Sequence, residues 1–203
     1  RSCHFAYFME YGLRAKPREP AAFDAPQIGT FLHYLLENVT RDVLAQGGFA
    51  AVDNDRLHGL VRQYIDQYAA QELHNFQNRN ARFQYLFRRL RNTAYAVIDQ
   101  VAEELRHSDF IPMAFELSFG GKDGTLPAVT ISQPDGELRV GGKVDRVDGW
   151  IRDDKLYLRV VDYKSGKKKF DLANVRMGLD IQMLLYLFAL QKEGAEFFGK
   201  EIE

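Results

Sequence analysis

Residues 141–148 read GGKVDRVD, and residues 160–166 read VVDYKSG. Each stretch lies in a predicted β-strand, over 137–150 and over 155–163, because both segments are rich in β-branched and aromatic residues. A short polar turn at residues 153–154 joins the two strands. Such a turn makes consecutive strands neighbours in one sheet, and this pairing decides the fold.

Three charged side chains are predicted on one face of these strands. Asp145 can lie opposite Asp162 across the ladder, and Lys164 shares a face with Asp162 because side chains alternate along a strand. Two adjacent carboxylates repel each other, and a hard divalent cation such as Mg²⁺ or Mn²⁺ relieves that repulsion. Lys164 would then orient a water molecule or stabilise negative charge. An exposed salt bridge at a strand end is the alternative, which D-x-K on its own favours.

The remaining sequence predicts a single α+β domain. Apolar residues at helical spacing predict helices over 26–47, 53–76, 81–107 and 178–192, and alternating residues predict strands over 110–119 and 127–132. We expect a helical N-terminal portion packed on a small mixed central sheet flanked by helices. Within the domain 1–203, a cysteine-bearing segment (1–25) precedes a helical part (26–108) and a metal-site sheet with its following helix (109–192).

The composition excludes several classes of protein. The chain has 203 residues, and its 27 basic and 28 acidic residues give a net charge of −1. A globally basic nucleic-acid coat and a disordered acidic tail are therefore excluded, and no apolar run is long enough to span a bilayer. The lone cysteine, Cys3, favours a reducing compartment such as the cytoplasm. A start at Arg1 without a signal-peptide pattern indicates a piece cut from a longer protein.

Several motifs together resemble a known family. An aspartate, sixteen intervening residues and then D-x-K on paired strands resemble the core of the PD-(D/E)XK nucleases. Residues 29–37 (GTFLHYLLE) are similar to the G-x-x-x-H-x-x-L-E helix of the RecB-like branch. Residues 141–148 are similar to its G-x-x-D-R-(I/V)-D strand, and residues 182–186 (QMLLY) to its Q-x-x-x-Y helix. The resemblance implies a restriction-endonuclease-like fold and metal-dependent hydrolysis of phosphodiester bonds.

The resemblance also implies roles for individual residues. The implied metal ligands are His33, Asp145, Asp162 and the backbone carbonyl of Tyr163, and the implied catalytic residues are Asp145, Asp162, Lys164, Gln182, Tyr186 and Glu116. Lys164 would activate the attacking water. Gln182 and Tyr186, which lie one helical turn apart, would support it.

Most of these residues have a structural alternative. His33 lies among apolar residues and could be a buried core histidine, whereas Glu116 could lie on the surface and Gln182 with Tyr186 could form the polar edge of a core helix. Glu37 could steady His33 or form a salt bridge with a neighbour. Asp148 points away from Asp145 and is predicted to be structural, paired with Arg146 or Arg159.

The first residues resemble a narrower group. Residues 2–13 (SCHFAYFMEYGL) are similar to the cysteine-bearing segment that opens the nuclease domain of AddB subunits in bacterial AddAB helicase–nucleases. In that group the cysteine and three others hold a [4Fe–4S] cluster. One thiolate cannot hold four irons, so Cys3 would be an iron–sulfur ligand only within a longer protein. Cys3 could also be a small buried hydrophobic residue.

The function that this resemblance implies is a metal-dependent DNA exonuclease within a helicase–nuclease. An AddA-like subunit would be its heterodimer partner, unwinding duplex ends for recombinational repair, and the 5′-ended single strand would be degraded. Lys167, Lys168, Lys169 and Arg176 would contact DNA phosphates, or form an ordinary solvated loop. A Cas4-type nuclease and a non-catalytic DNA-binding scaffold are the alternatives, although the complete set of core residues disfavours the scaffold.

Overall fold

A computed structural model describes residues 4–14, 25–72, 81–120, 124–133, 136–164 and 171–203. The helices are α1 (His4–Tyr7), a π-helix (Phe8–Gly12), α2 (Ala25–Ala45), α3 (Asn54–Gln71), α4 (Ala81–Arg106), α5 (Leu172–Arg176) and α6 (Gln182–Phe198). The strands are β1 (Ile111–Phe119), β2 (Val129–Gln133), β3 (Gly136–Val140), β4 (Gly142–Arg152) and β5 (Lys155–Val161). Helices therefore precede strands, as the α+β prediction requires. Among the helices described, none has the long apolar stretch needed to cross a membrane.

Three long helices form the first layer, and the sequence predicted their positions well. Helix α2 ends before Gly47, whose left-handed backbone (φ 99°) stops the helical hydrogen-bond pattern. Helix α3 begins after Asp53, whose carboxylate accepts a hydrogen bond from the Arg56 amide at 2.8 Å. Residues 73–76, the end of the second predicted helix, lie outside the described residues.

The apolar faces of these helices pack into one cluster. Its buried members are Phe31, Leu35, Leu36, Val39, Val43, Phe49, Val52, Leu57, Leu60, Val61, Ile65, Phe87, Leu90, Ala94, Ile98, Val101, Ala102 and Leu105. We call this set the helical cluster. Full burial of each large aliphatic side chain contributes about 1.5–3 kcal/mol relative to an exposed one.

The sheet differs from the prediction in two respects. Strands β1, β4 and β5 form an antiparallel sheet in the order β1-β4-β5, while β2 and β3 pair separately. The single strand predicted over 137–150 is therefore two strands, with Gly141 between them. A Cβ on Gly141 would lie 3.0 Å from the Phe119 carbonyl oxygen, so only glycine permits the chains to pass so closely there. Parallel pairing in the described residues consists of two isolated bridges, Phe119 with Leu126 and Leu156 with Ile202.

The region after the sheet forms two helices where the sequence predicted one over 178–192. Gly178 (φ 77°) and Asp180 (φ 54°) both adopt left-handed backbone, which separates α5 from α6. Helix α6 packs on the sheet and completes a second apolar cluster, which we call the sheet cluster. Its buried members are Ala114, Leu117, Phe119, Leu126, Val129, Val144, Val147, Tyr186, Ala189 and Leu190.

The two clusters meet along a seam between α2, α4 and the sheet. Polar groups occupy much of this seam: the Arg41 guanidinium lies over the Phe115 ring at 4.7 Å, and Arg159 Nη1 lies 2.8 Å from Glu104 Oε1. His33 of α2 also faces the sheet here, 3.1 Å from the Tyr163 carbonyl oxygen.

Candidate functional site

Three potential metal ligands converge in the seam. His33 from α2, Glu116 from β1 and Asp145 from β4 each offer one ligand atom, and these atoms all lie within 4.8 Å of one another. His33 Nδ1 lies 3.8 Å from Glu116 Oε1, and His33 Nε2 lies 3.6 Å from Asp145 Oδ2. All three side chains are partly exposed, so an ion from solvent can reach them.

The strand register explains why the two carboxylates meet. Phe115 pairs with Arg146 and Leu117 pairs with Val144, which places Glu116 opposite Asp145. Glu116 has a left-handed backbone (φ 50°), which is unusual for a non-glycine residue inside a strand and is typical of strained functional positions. The sequence offered Glu116 as a supporting acid or a surface residue, and the structure places it in the ligand cluster.

Asp162 lies next to this cluster but is not one of its three members. Its two carboxylate oxygens each lie 2.9 Å from Lys164 Nζ. Gln182 Nε2 also approaches Asp162 Oδ1, at 3.5 Å, and donates a 2.5 Å hydrogen bond to the Tyr186 hydroxyl. The structure thus brings Asp162, Lys164, Gln182 and Tyr186 together as expected, with Asp162 paired to the lysine.

The peptide group of Tyr163 connects the two carboxylates and the histidine. Its N–H donates to Asp145 Oδ2 at 2.7 Å, and its carbonyl oxygen lies 3.1 Å from His33 Nε2. If His33 carries its proton on Nε2, that nitrogen donates to the carbonyl and Nδ1 is free to bind a cation. If the proton is on Nδ1, the Nε2 lone pair faces Asp145 and the carbonyl oxygen, and both atoms can share a cation with it.

The electrostatics of the site favour binding of a cation. Burial raises the pKa of Asp145, and the Tyr163 amide and His33 oppose this shift while Asp162 and Glu116 add to it. The acidic groups therefore repel one another, and a positive ion among them relieves that repulsion.

Lys143 is a functional candidate that the sequence reasoning missed. Its ammonium forms an ion pair with Glu116, and this hydrogen bond raises the pKa of Lys143. The available signal was its position two residues before Asp145, which places both side chains on one face of β4.

A network of buried charges lies behind the site. Asp148 is fully buried and accepts hydrogen bonds from Arg146 Nε (2.7 Å) and Nη2 (2.9 Å). Arg159 Nε and Nη2 also donate to Asp148 Oδ2, at 3.0 and 2.7 Å. The prediction that Asp148 is structural and pairs with these arginines is confirmed.

The other predicted residues lie apart from the ligand cluster or outside the described residues. Glu37 accepts hydrogen bonds from Arg41 at 2.9 and 3.1 Å, so it forms the neighbouring salt bridge that was one of its two alternatives. Arg176 is exposed at the end of α5. Cys3 and the lysines at 167–169 lie outside the described residues.

A groove borders the lysine side of the site. Its volume is about 470 Å³, and its lining includes Phe119, Gly142, Asp180, Gln182 and Tyr186. Because Gln182 also approaches Asp162, a chain bound in this groove would pass directly beside the Asp162–Lys164 pair.

Comparisons with known proteins agree with this geometry. A family model described as the PD-(D/E)XK nuclease superfamily matches residues 1–201. The similar proteins are named as the B-type component of an ATP-dependent helicase/deoxyribonuclease: that of Clostridium tetani is 31% identical over 98% of this chain, and that of Acetivibrio thermocellus is 35% identical over 95%. The corresponding protein of Pelotomaculum thermopropionicum is 36% identical over 92% of the chain. The chain spans only 18%, 17% and 16% of these three relatives.

Proposed function

The chain belongs to the PD-(D/E)XK nuclease superfamily, and from that premise we propose that it is a metal-dependent exonuclease domain acting on DNA. The observation that carries the proposal is the juxtaposition of the His33–Glu116–Asp145 cluster with the Asp162–Lys164 pair. A cation site beside a fixed ammonium is the arrangement that hydrolysis of a phosphodiester requires.

The donor atoms suit Mg²⁺ or Mn²⁺. Two carboxylates, the Tyr163 carbonyl and one imidazole form an oxygen-rich set with no thiolate, which is what these hard cations prefer. His33, Glu116 and Asp145 would hold the ion, with Asp162 as a further ligand when its carboxylate turns from Lys164. The bound ion would polarise the phosphate and lower the pKa of an attached water.

Lys164 acts on the developing charge of the reaction. Its hydrogen bond to Asp162 raises its pKa, so the ammonium stays protonated at neutral pH. A protonated lysine donates hydrogen bonds to an attacking water or a phosphate oxygen and does not act as a general base. Gln182 holds the Asp162 carboxylate from the other side, and Tyr186 fixes the Gln182 amide.

The wider role follows from the names of the relatives, which combine helicase and deoxyribonuclease. We propose that the domain degrades a single strand, the 5′-ended one, from duplex ends that an AddA-like partner unwinds in the cytoplasm. Arg176 and the lysines at 167–169 would contact the phosphates of that strand.

The test is cleavage of labelled linear single-stranded DNA by the 203-residue chain. We expect nucleotide release with Mg²⁺ or Mn²⁺ and none with EDTA. Asp145→Asn and Asp162→Ala should each lower the rate by about 100-fold or more, as does the loss of one key stabilising group. Asp153→Asn, in the exposed turn after β4, is the matched control and should cleave normally. Cleavage in EDTA, or rates within about threefold of wild type for both site variants, would contradict the proposal.

Lys164→Ala separates ion binding from catalysis. An ammonium is not a metal ligand, so this variant should bind Mn²⁺ as wild type does and yet lose cleavage. Calorimetry that shows Mn²⁺ affinity falling as far in Lys164→Ala as in Asp145→Asn would show that the two roles are not separate.

A further inference from the structure

We propose that Arg146 is a positioning residue: from the buried side of the sheet, it fixes the Tyr163 ring and thereby the peptide group that orients Asp145 and His33. This inference rests on the proposed function for its catalytic consequence, although its structural part can be tested without activity. Nothing in the motif spacing assigns Arg146 a role in the site, because its side chain points away from Asp145.

The first step is the way Arg146 itself is held. Its side chain is 1% exposed, and a buried guanidinium is tolerated only with its charge paired and its donors satisfied. Asp148 takes two of those donors in the bidentate arrangement typical of an arginine–carboxylate pair. Because Arg159 holds Asp148 from the exposed side, the Asp148 carboxylate is fixed in turn.

The second step is the contact between Arg146 and Tyr163. Nη1 of Arg146 donates a 2.7 Å hydrogen bond to the Tyr163 hydroxyl. Burial raises the pKa of that hydroxyl to about 12, so it stays neutral and accepts this bond over the physiological range. The Tyr163 ring also packs edge-on against the His33 ring, with the centroids 5.7 Å apart. The ring is therefore fixed at its tip by Arg146 and along its edge by the helix that carries His33.

The third step leads from the ring to the site. Tyr163 follows the last residue of β5, Val161, by two positions, and its own N–H and C=O point to site residues instead of a neighbouring strand. The N–H bonds one Asp145 oxygen and leaves the other for an ion, while the carbonyl sets the rotation of the His33 ring. A ring that can swing would carry this peptide group with it, and both ligands would lose their orientation.

Tyr163→Phe tests the anchor with the least disturbance, since it keeps the ring and removes only the acceptor for Arg146. We expect Mn²⁺ affinity, measured by calorimetry on the 203-residue chain, to fall about 10-fold or more, the usual effect of losing a group that orients a metal ligand. Hydrogen exchange of the Tyr163 amide in EDTA should accelerate at the same time. Tyr157→Phe, a tyrosine of the same strand without this contact, is the control and should change neither quantity.

A double-mutant cycle distinguishes positioning from a general effect on stability. Arg146→Lys keeps the positive charge but not the fork that reaches both Asp148 and Tyr163. If Arg146 acts through Tyr163, the variant with both substitutions should bind Mn²⁺ no more weakly than the weaker single variant. Arg159→Lys also touches Asp148 but not Tyr163, so its effect should add to that of Tyr163→Phe.

The outcomes separate this inference from the proposed function. Wild-type Mn²⁺ affinity and wild-type Tyr163 amide exchange in Tyr163→Phe would overturn the positioning role while the nuclease proposal stands. A wild-type chain that binds no Mn²⁺ would overturn the metal site, and the amide exchange would still decide whether Arg146 fixes the peptide group. Additive effects of Arg146→Lys and Tyr163→Phe would also overturn the inference.

Discussion

Glu116 shows how one residue can hold a ligand at the expense of its backbone. Its carboxylate joins His33 and Asp145 only because the chain takes a left-handed conformation inside β1. That conformation disfavours an L-residue by roughly 1–2 kcal/mol. Strain of this kind persists where neighbouring contacts determine the conformation, and here the flanking pairs of β1 with β4 do so.

The strain predicts a reversed order of two substitutions. Alanine is normally more stable than glycine within a strand, by about 0.5–1 kcal/mol. At position 116 we expect Glu116→Gly to be at least as stable as Glu116→Ala and up to about 1 kcal/mol more stable, because glycine removes the left-handed penalty. Urea unfolding in EDTA measures the difference, and both variants lack the carboxylate, so electrostatics cancel. The same pair at Ser118 should show the normal order. The normal order at 116 would refute the strain.

Residue identities in the site could be predicted, but their contacts could not. Strand alternation placed Asp145, Asp162 and Lys164 on one face, and the helix motif supplied His33. No spacing rule indicates that Glu116 adopts left-handed backbone and reaches the ligand cluster, or that the Asp162 carboxylate turns toward Lys164. Those facts depend on distances across strands, which a linear pattern does not contain.

At the scale of elements, Gly142 governs how α6 meets the sheet. A Cβ at this position would lie 2.8 Å from Phe119 Cζ and 3.3 Å from Tyr186 Cε1. The Phe119 and Tyr186 rings pack edge to face, with centroids 5.7 Å apart. The absent side chain therefore lets Tyr186, and with it Gln182, approach the site.

Gly142→Ala should consequently destabilise the protein by about 1–3 kcal/mol, the usual effect of overpacking. Gly59→Ala provides the control with the opposite sign, because a Cβ on that exposed helical glycine meets nothing within 4 Å. It should stabilise the protein by about 0.5–1 kcal/mol. Thermal unfolding compares the two variants, and equal effects would show that the close approach in β4 is unimportant.

The pairing of α2 with α3 predicts a pH effect. Burial, followed by the 2.8 Å hydrogen bond to Asp42, raises the pKa of Tyr64 to about 12, against about 10 in an unfolded chain. The folded state thus favours the neutral phenol, so this contribution is complete below pH 10 and is lost as pH rises through 12. Tyr64→Phe should be about 1 kcal/mol less stable than wild type at pH 8, and this difference should shrink by pH 11.5. Urea unfolding at both values is the measurement, and a constant difference would contradict the assignment.

Element boundaries were predictable where a local stop signal exists. Gly47 ends α2 and Asp53 begins α3, and both signals were visible in the sequence. The split of 137–150 into β3 and β4 was not visible, because two glycines inside a strand pattern fit a bulge as well as a change of sheet. The break between α5 and α6 at Asp180 was equally hidden, since aspartate takes left-handed backbone only occasionally.

At the scale of the whole molecule, the chain supplies one thiol to any cluster. Cys3 is the only cysteine among 203 residues, and a cluster of four irons needs four ligands. We therefore expect no stoichiometric iron and no visible absorbance in the purified chain. A longer protein that contributes three more cysteines should bind iron and lose it on Cys3→Ser. Stoichiometric iron–sulfur in monomeric chains would contradict this expectation.

The polar seam between the helical cluster and the sheet cluster has a thermodynamic consequence. Each cluster has its own apolar interior, so each is a candidate cooperative unfolding unit, and the polar contacts between them transmit little apolar stabilisation. His33 belongs to one unit, whereas Glu116 and Asp145 belong to the other. A cation chelated by all three would bind only when both units are folded, and mass action would link their equilibria. Calorimetry in EDTA should then give a calorimetric enthalpy larger than the van't Hoff enthalpy, and saturating Mn²⁺ should bring the two values together.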